Sequence, residues 1–292
     1  MAGERGDGYV IEDHPSGITL VVTGRWTSAA TTAVQRPDVT GVSLNHAHGY
    51  HEPDLSFIEA WPIKDLLVLD RTISDLAPLA RLGQTLEGLY VEAAPDARID
   101  LTALPHLRSL EAGWDAIRDA LHGPDYLTEI VTFGYYEPDF EPLALQPSLQ
   151  TIRLETAHKL ETLAGIEQFP TLTSLAIAAA RQFHDLDAVQ SVRETLRKLD
   201  LESCPALNDI TPIAALSELH LLGIKDCGRI RSIEPVGNLA KLEVLLAWGS
   251  TRIEEGDLSP LLGLPRLKEI RMRDRREYRP TVAALKEQLQ IA

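Results

Sequence analysis

Cysteine is nearly absent from this chain, with two residues, Cys204 and Cys227, in 292. A disulfide-stapled secreted domain of this length would usually carry more, so a reducing, intracellular setting is expected. Long apolar runs are missing too. No window reaches the ~18 uninterrupted apolar residues that a membrane helix needs. The stretch from Met1 to Val10 is polar and glycine-rich, with neither the basic n-region nor the apolar h-region of a signal peptide. These absences together predict a soluble, cytoplasmic protein. Positive charge is also scarce, and the formal net charge is −15. Nucleic acid and anionic lipid would repel such a chain, so neither a nucleic-acid nor a membrane partner is expected, whereas a basic partner would suit it. Arginine outnumbers lysine 21 to 7, a bias typical of GC-rich, often bacterial, genomes.

What the chain does have is apolar residues, 44% of the total, laid out with a period. Written as Φ-x-x-Φ-x-Φ with Φ apolar, a motif recurs from Ile63, Leu66, Val68 to Leu267, Ile270, Met272. Between them come Leu86, Leu89, Val91; Leu107, Leu110, Ala112; Leu127, Ile130, Thr132; and Leu149, Ile152, Leu154. Then follow Leu172, Leu175, Ile177; Leu196, Leu199, Leu201; Leu219, Leu222, Ile224; and Leu242, Leu245, Ala247. The ten starts are separated by 23, 21, 20, 22, 23, 24, 23, 23 and 25 residues. The alternation is that of a short strand with one buried face.

A second motif, Φ-x-x-Φ-x-x-Φ, follows most units. It often has Asp before the second apolar residue and Pro before the third, as in Ile73, Asp75, Leu76, Pro78, Leu79 and in Leu207, Asp209, Ile210, Pro212, Ile213. Its spacing is helical. Asp or Ser near its start supplies acceptors for free backbone N–H groups, and proline in a first turn costs no hydrogen bond. Each unit therefore reads as strand, turn and short helical return. One unit alone cannot bury its apolar residues, whereas stacked units can.

These residues resemble the leucine-rich-repeat family, in particular its internalin-like class of 22–23-residue repeats with a D-Φ-x-P-L return. The resemblance covers about residues 63–272. It implies an α/β solenoid, a curved horseshoe with a parallel sheet on its concave face and short helical or 3-10 returns on its convex face, generally used to bind proteins. The chain departs from the family in one column. Three residues after the third apolar position the family favours Asn, whose side chain ladders with backbone; here stand Ala94, Ala157, Ala180, Cys204, Cys227 and Ser250.

A solenoid needs covered ends. Residues 1–62 are expected to form an N-terminal cap, with strands at Tyr9–Ile11 and Ile18–Val22 around the turn Pro15–Ser16–Gly17 and a degenerate repeat strand at Val39–Leu44. The repeats then occupy 63–278. Val282, Leu285 and Leu289, at helical spacing after Pro280, predict a closing helix within 279–292.

Alternation also assigns the strand residues that point away from the core. In the first half these include Leu67, Leu69, Tyr90, Val131 and Phe133, an apolar and aromatic patch. Leu246 and Trp248 form a second. Glu92, Glu111, Glu155, Asp200 and Glu202, drawn from two outward positions per strand, make a mostly acidic strip between them, with Arg153 aligned with Glu111 and Asp200. Tyr135 lies in the irregular stretch from Phe133 to Pro147 and joins the candidates. Solvent-facing aromatics rimmed by charge are typical of an interface. The alternative is that Leu67, Leu69 and Leu246 pack against a capping loop or a dimer mate.

Signals for chemistry are weak. The segment Asn45, His46, His48, His51, Glu52 is the one metal-like cluster, with His46 and His48 on one side of a strand and His51 or Glu52 placed to complete a site; a polar loop leaving the cap strand explains it better, and no distant ligand pattern supports a metal. Cys204 and Cys227 sit at equivalent places of adjacent repeats, near disulfide range, yet buried thiols there are usually inert. There is no phosphate loop, no nucleophile–His spacing and no cofactor motif. Arg271, Arg273, Arg275, Arg276 and Arg279 could bind phosphate or an acidic partner, but such a run is more often a solubilising edge. The expectation is a non-catalytic module, monomer or homodimer, that captures another protein. A concrete version is an inhibitor or immunity-type protein masking a basic toxin or enzyme. The rivals are a self-associating scaffold and a metal-dependent enzyme.

Overall fold

A computed structural model describes residues 4–14, 17–123 and 125–291. Pro15 and Ser16, two residues of the expected N-terminal turn, lie outside them. The chain divides into two compact units, 1–130 and 131–292.

In unit 1 the strands are β1 (Glu4–Gly6), β2 (Tyr9–His14), β3 (Gly17–Val22), β4 (Val39–Asn45), β5 (Asp65–Leu69), β6 (Gly88–Glu92) and β7 (Ser109–Gly113), ordered in the sheet as in the chain. β1, β2 and β3 pair antiparallel, while β3 through β7 pair parallel. Two short helices interrupt them, α1 (Ser28–Ala33) and α2 (Trp114–Ile117). Neither β1 nor α1 was expected. β1 carries no apolar residue, and α1, built from Ser, Ala and Thr, has no apolar period to read. Thr27 starts α1 by accepting a hydrogen bond from the Ala30 N–H.

At the boundary between the units lies β8 (Glu129–Phe133), and unit 2 continues with β9 (Thr151–Glu155), β10 (Ser174–Ala178), β11 (Lys198–Glu202), β12 (Leu221–Lys225), β13 (Arg229–Ile230), β14 (Val244–Ala247), β15 (Arg252–Ile253) and β16 (Glu269–Met272). Its sheet runs β8-β9-β10-β11-β12-β14-β16, while β13 and β15 pair separately. Helix α3 (Val282–Leu289) follows, capped by Thr281. All ten expected repeat strands are present. Their alternate residues are buried, from Leu66 and Val68 to Ile270. Each fully buried Leu or Ile contributes roughly 1.5–3 kcal/mol, which repeated stacking sums against the ordering entropy of the chain.

The returns are 3-10 turns, for example Ala77–Leu82, Thr211–Ala215 and Ser259–Gly263. An apolar residue every third position matches the 3.0-residue period of this helix. The helical part begins only after the second apolar residue. Ahead of it the aspartate side chain folds back to accept from the N–H two residues on: Asp75 from Ala77 at 2.9 Å, Asp185 from Asp187 at 2.8 Å, Asp209 from Thr211 at 2.8 Å and Asp257 from Ser259 at 2.9 Å. At Asp209, the bonds from Thr211 hold the carboxyl below its ordinary range, and at Asp257 those from Ser259 do the same.

Strand exits differ between the units. In unit 2, the second residue after the last inward strand position is left-handed in six successive repeats: Gly134, Thr156, Ala179, Ser203, Asp226 and Gly249, with φ from 52° to 73°. In unit 1 the same position is filled by Asp70, Ala93 and Trp114, none of them left-handed. Asp70 instead bends the chain by accepting from the N–H and hydroxyl of Thr72.

Candidate functional site

The sheet face opposite the core carries the sequence-derived candidates, and each unit presents its own set. In unit 1, Leu67, Leu69, Tyr90, Glu92 and Glu111 are all partly exposed on that face. Register places Leu67 beside Tyr90 beside Glu111, and Leu69 beside Glu92. The Tyr90 hydroxyl donates to Glu92 at 3.1 Å, and Arg71 pairs with the same carboxylate at 2.8 Å.

One step back along the same strands lies a row that the sequence columns did not reach: Gly41, Asp65, Gly88 and Ser109, again in register. Glycine at 41 and 88 leaves the surface hollow. The result is a cavity of about 270 Å³, lined by Gly41, Ser43, Asp65, Leu67, Gly88, Tyr90, Ser109 and Glu111, with His14 and Thr19 at one side. The Asp65 carboxylate leans over Gly88, where a Cβ would stand 2.3 Å from Oδ1. It makes no hydrogen bond or ion pair with any described residue. Burial, with Glu87 adding to it, pushes its carboxyl above the usual range. This row is the next outward position of the same alternation, two residues toward the start of each strand.

In unit 2, Phe133 and Leu246 are half-buried on the open face, and Trp248 is 40% exposed. The Arg271 guanidinium lies 5.8 Å from the Trp248 ring centroid, within cation–π range. Tyr135 is corrected: it is fully buried, its hydroxyl donating to the Asp139 carbonyl. It stands three residues after Thr132, in the column of Ala157, Ala180, Cys204 and Cys227, and left-handed Gly134 turns it inward. It is therefore not a contact residue.

The acidic strip is also less free than its sequence suggests. Arg153 pairs with Glu155, two residues further along the same strand, at 2.7 Å. Lys225 sits between Asp200 and Glu202, its Nζ 3.1 Å from Asp200 Oδ1 and 2.6 Å from Glu202. The Lys225 and Asp200 side chains are only 12% and 19% exposed. Burial works against the ammonium charge, but hydrogen bonds to Glu202 and Asp200 outweigh it and raise the lysine above its ordinary range.

The column where Asn was expected is served by other groups. The Cys227 thiol donates toward the carbonyls of Leu201 at 3.5 Å and Lys225 at 3.3 Å, and that of Cys204 toward Glu202 at 3.5 Å. Both cysteines are free and buried. Hydrogen bonding to Cys204, reinforced by burial, pushes the Cys227 thiol up, away from reactivity. In the next repeat the role falls to Thr251 rather than Ser250, which is exposed. Thr251 Oγ1 donates to the Ile224 carbonyl at 2.6 Å and accepts from the Cys227 N–H at 3.0 Å.

The histidine segment does not form a strand. β4 ends at Asn45, and His46–His48 is a 3-10 turn whose start Asn45 caps by accepting from the Ala47 N–H. His46 and His48 are thus not on one side of a strand. His46 Nδ1 bonds the Leu69 carbonyl at 2.8 Å, and His51 Nδ1 that of Gly49 at 2.7 Å. Among the described residues, no three His, Cys, Asp or Glu side chains converge as a metal site. None of the described helices is long and apolar enough to cross a membrane.

No family model and no curated protein matches the chain. Solved structures do. The chain is similar to an internalin from Listeria monocytogenes, with a TM-score of 0.54 and 18% identity over 89% of this chain and 83% of that one. It is also similar to an LRR protein from Leptospira interrogans, with a TM-score of 0.52 and 16% identity over 68% of this chain and 58% of that one.

Proposed function

Because the chain folds as a leucine-rich-repeat solenoid, we propose that it is a non-catalytic protein-binding module whose contact surface is the open sheet face of unit 1. The observation that carries this reading is the placement of Leu67, Leu69 and Tyr90 on adjacent strands, partly exposed and in register, beside Glu92 and Glu111. A rigid aromatic and aliphatic patch rimmed by carboxylates suits the anchors of a protein interface. The partner is basic, as the net charge of −15 favours, and the chain acts on it by masking, as an inhibitor or immunity-type protein does. Electrostatic attraction then speeds association and makes it salt-dependent. The Trp248–Arg271 pair of unit 2 is a secondary contact.

Affinity capture from the native lysate tests this. Wild type, a Leu67→Asp/Tyr90→Asp variant and a Leu145→Ser control away from the strand face are immobilised in parallel. A protein held by wild type and control, lost from the face variant and released by raised salt supports the reading. Retention by the face variant overturns it, and so does a chain that light scattering finds to dimerise through these same residues.

A further inference from the structure

The same local step occurs once in each unit with a different outcome. In both, an aspartate on the open face lies opposite a glycine of the next strand, Asp65 beside Gly88 and Asp200 beside Gly223. Each glycine makes room for the carboxylate. A Cβ would stand 2.3 Å from Asp65 Oδ1 at position 88 and 2.1 Å from Asp200 Oδ1 at position 223. Two residues further along the glycine's strand, on the same face, the side chains diverge. Unit 2 has Lys225, which brings its ammonium back to Asp200. Unit 1 has Tyr90, which carries no charge to offer, and its hydroxyl is turned to Glu92.

We propose that the unit 1 cavity seats the side chain of a lysine from the protein partner, its ammonium on Asp65 and its methylenes against Leu67 and Tyr90. The occupant is read from the chain itself, because Lys225 shows which group completes an aspartate over a glycine on this sheet. The cavity, about 270 Å³, admits a side chain rather than a whole domain. Lys64, the nearest cation in sequence, makes its ion pair with Glu87 at 2.9 Å and attracts Asp65 only without direct contact. Burial, with Glu87 adding to it, outweighs the attraction of Lys64 and disfavours the Asp65 charge, so a cation arriving from outside in direct contact recovers part of that cost. Glu111 on the opposite wall adds attraction of the same sign, while His14 at the rim, when protonated, opposes it. The inference rests on the open face of unit 1 being the partner surface and narrows the partner to one that presents a lysine there.

The test is an amide NMR titration of the full chain with N-acetyl-lysine methylamide, with N-acetyl-norleucine methylamide as its uncharged counterpart. Shifts at Gly41, Asp65, Gly88 and Tyr90 with the lysine probe and none with norleucine are expected. Asp65→Asn should weaken the probe by about tenfold, the loss of one charge-assisted bond. Tyr90→Lys, which copies Lys225, should block it. Lys225→Met should open a second lysine site at Asp200. Equal shifts with norleucine, or an Asp65→Asn variant that binds like wild type, overturn the proposal. So does a silent titration, and if Leu67→Asp/Tyr90→Asp nevertheless abolishes partner capture, only the lysine seat falls. A probe that binds as expected while capture ignores the face variants sinks the partner-surface reading instead.

Discussion

Asp65 and Asp200 approach the next strand alike, each over a glycine, but Asp200 is in an ion pair with Lys225, whereas Asp65 is in none with any described residue, the adjacent Lys64 pairing with Glu87. The difference shows that an outward carboxylate here is defined by the cations that neighbouring side chains bring to it, from the next repeat or from its own strand. Where the chain supplies the cation, the acid is structural and largely spent. Where it does not, the same acid remains available to something else. A strip of acidic residues on one sheet face is therefore not one surface: Glu92, Glu155, Asp200 and Glu202 are already matched by Arg71, Arg153 and Lys225.

The largest effect should come from breaking the completed pair. Lys225→Met leaves two carboxylates facing each other without their cation and should cost about 3 kcal/mol of stability, seen as a lower urea midpoint. A loss under half of that would mean the pair is no more structural than an exposed one.

A second contrast lies in the strand exits, left-handed in six successive repeats of unit 2 and not in unit 1. Ala179 holds φ 55° with an alanine side chain, a conformation that favours glycine. Ala179→Gly should therefore stabilise by about 1 kcal/mol, raising Tm by roughly 2–4 °C. An unchanged or lower melting temperature would show that the turn imposes no strain there.

The acid limb separates the capping aspartates from Asp65. Asp209 and Asp257 have lowered folded-state pKa values, so their contribution is present above the unfolded carboxylate pKa and lost as pH falls through the folded one. Asp209→Asn and Asp257→Asn should flatten the fall in Tm below about pH 4. Asp65 has the opposite sign. Its folded pKa is raised, so its charge costs stability that appears as pH climbs past the unfolded value and levels off above the folded one. Asp65→Asn should be the smallest change, a slight rise in Tm at neutral pH that vanishes in acid. A fall instead would mean that Asp65 already has a stabilising partner.

Much of this molecule could be read from its letters. All ten repeat strands stand where the apolar triplets put them, and the aspartates before the returns cap as expected, because both signals are local. Tyr135 was misplaced for an equally local reason, since its position three residues past Thr132 marks it as inward once the column of Ala157 and Cys204 is applied to it. The helix at Ser28–Ala33 had no apolar period to show. Asp65 lies beyond the two outward positions that flank the last apolar residue of each triplet, at the start of strands that run five residues.

By itself the sequence determined the repeat, the strand faces and the turn chemistry, because each depends on spacings of two, three or some 23 residues along one chain. Only the tertiary structure decided which charges are spent. Lys225 reaches Asp200 from 25 residues away, a meeting set by the parallel register of β11 and β12 and by the missing side chain at Gly223. No local pattern encodes that meeting, since it depends on how two repeats align and on the space a glycine leaves between them.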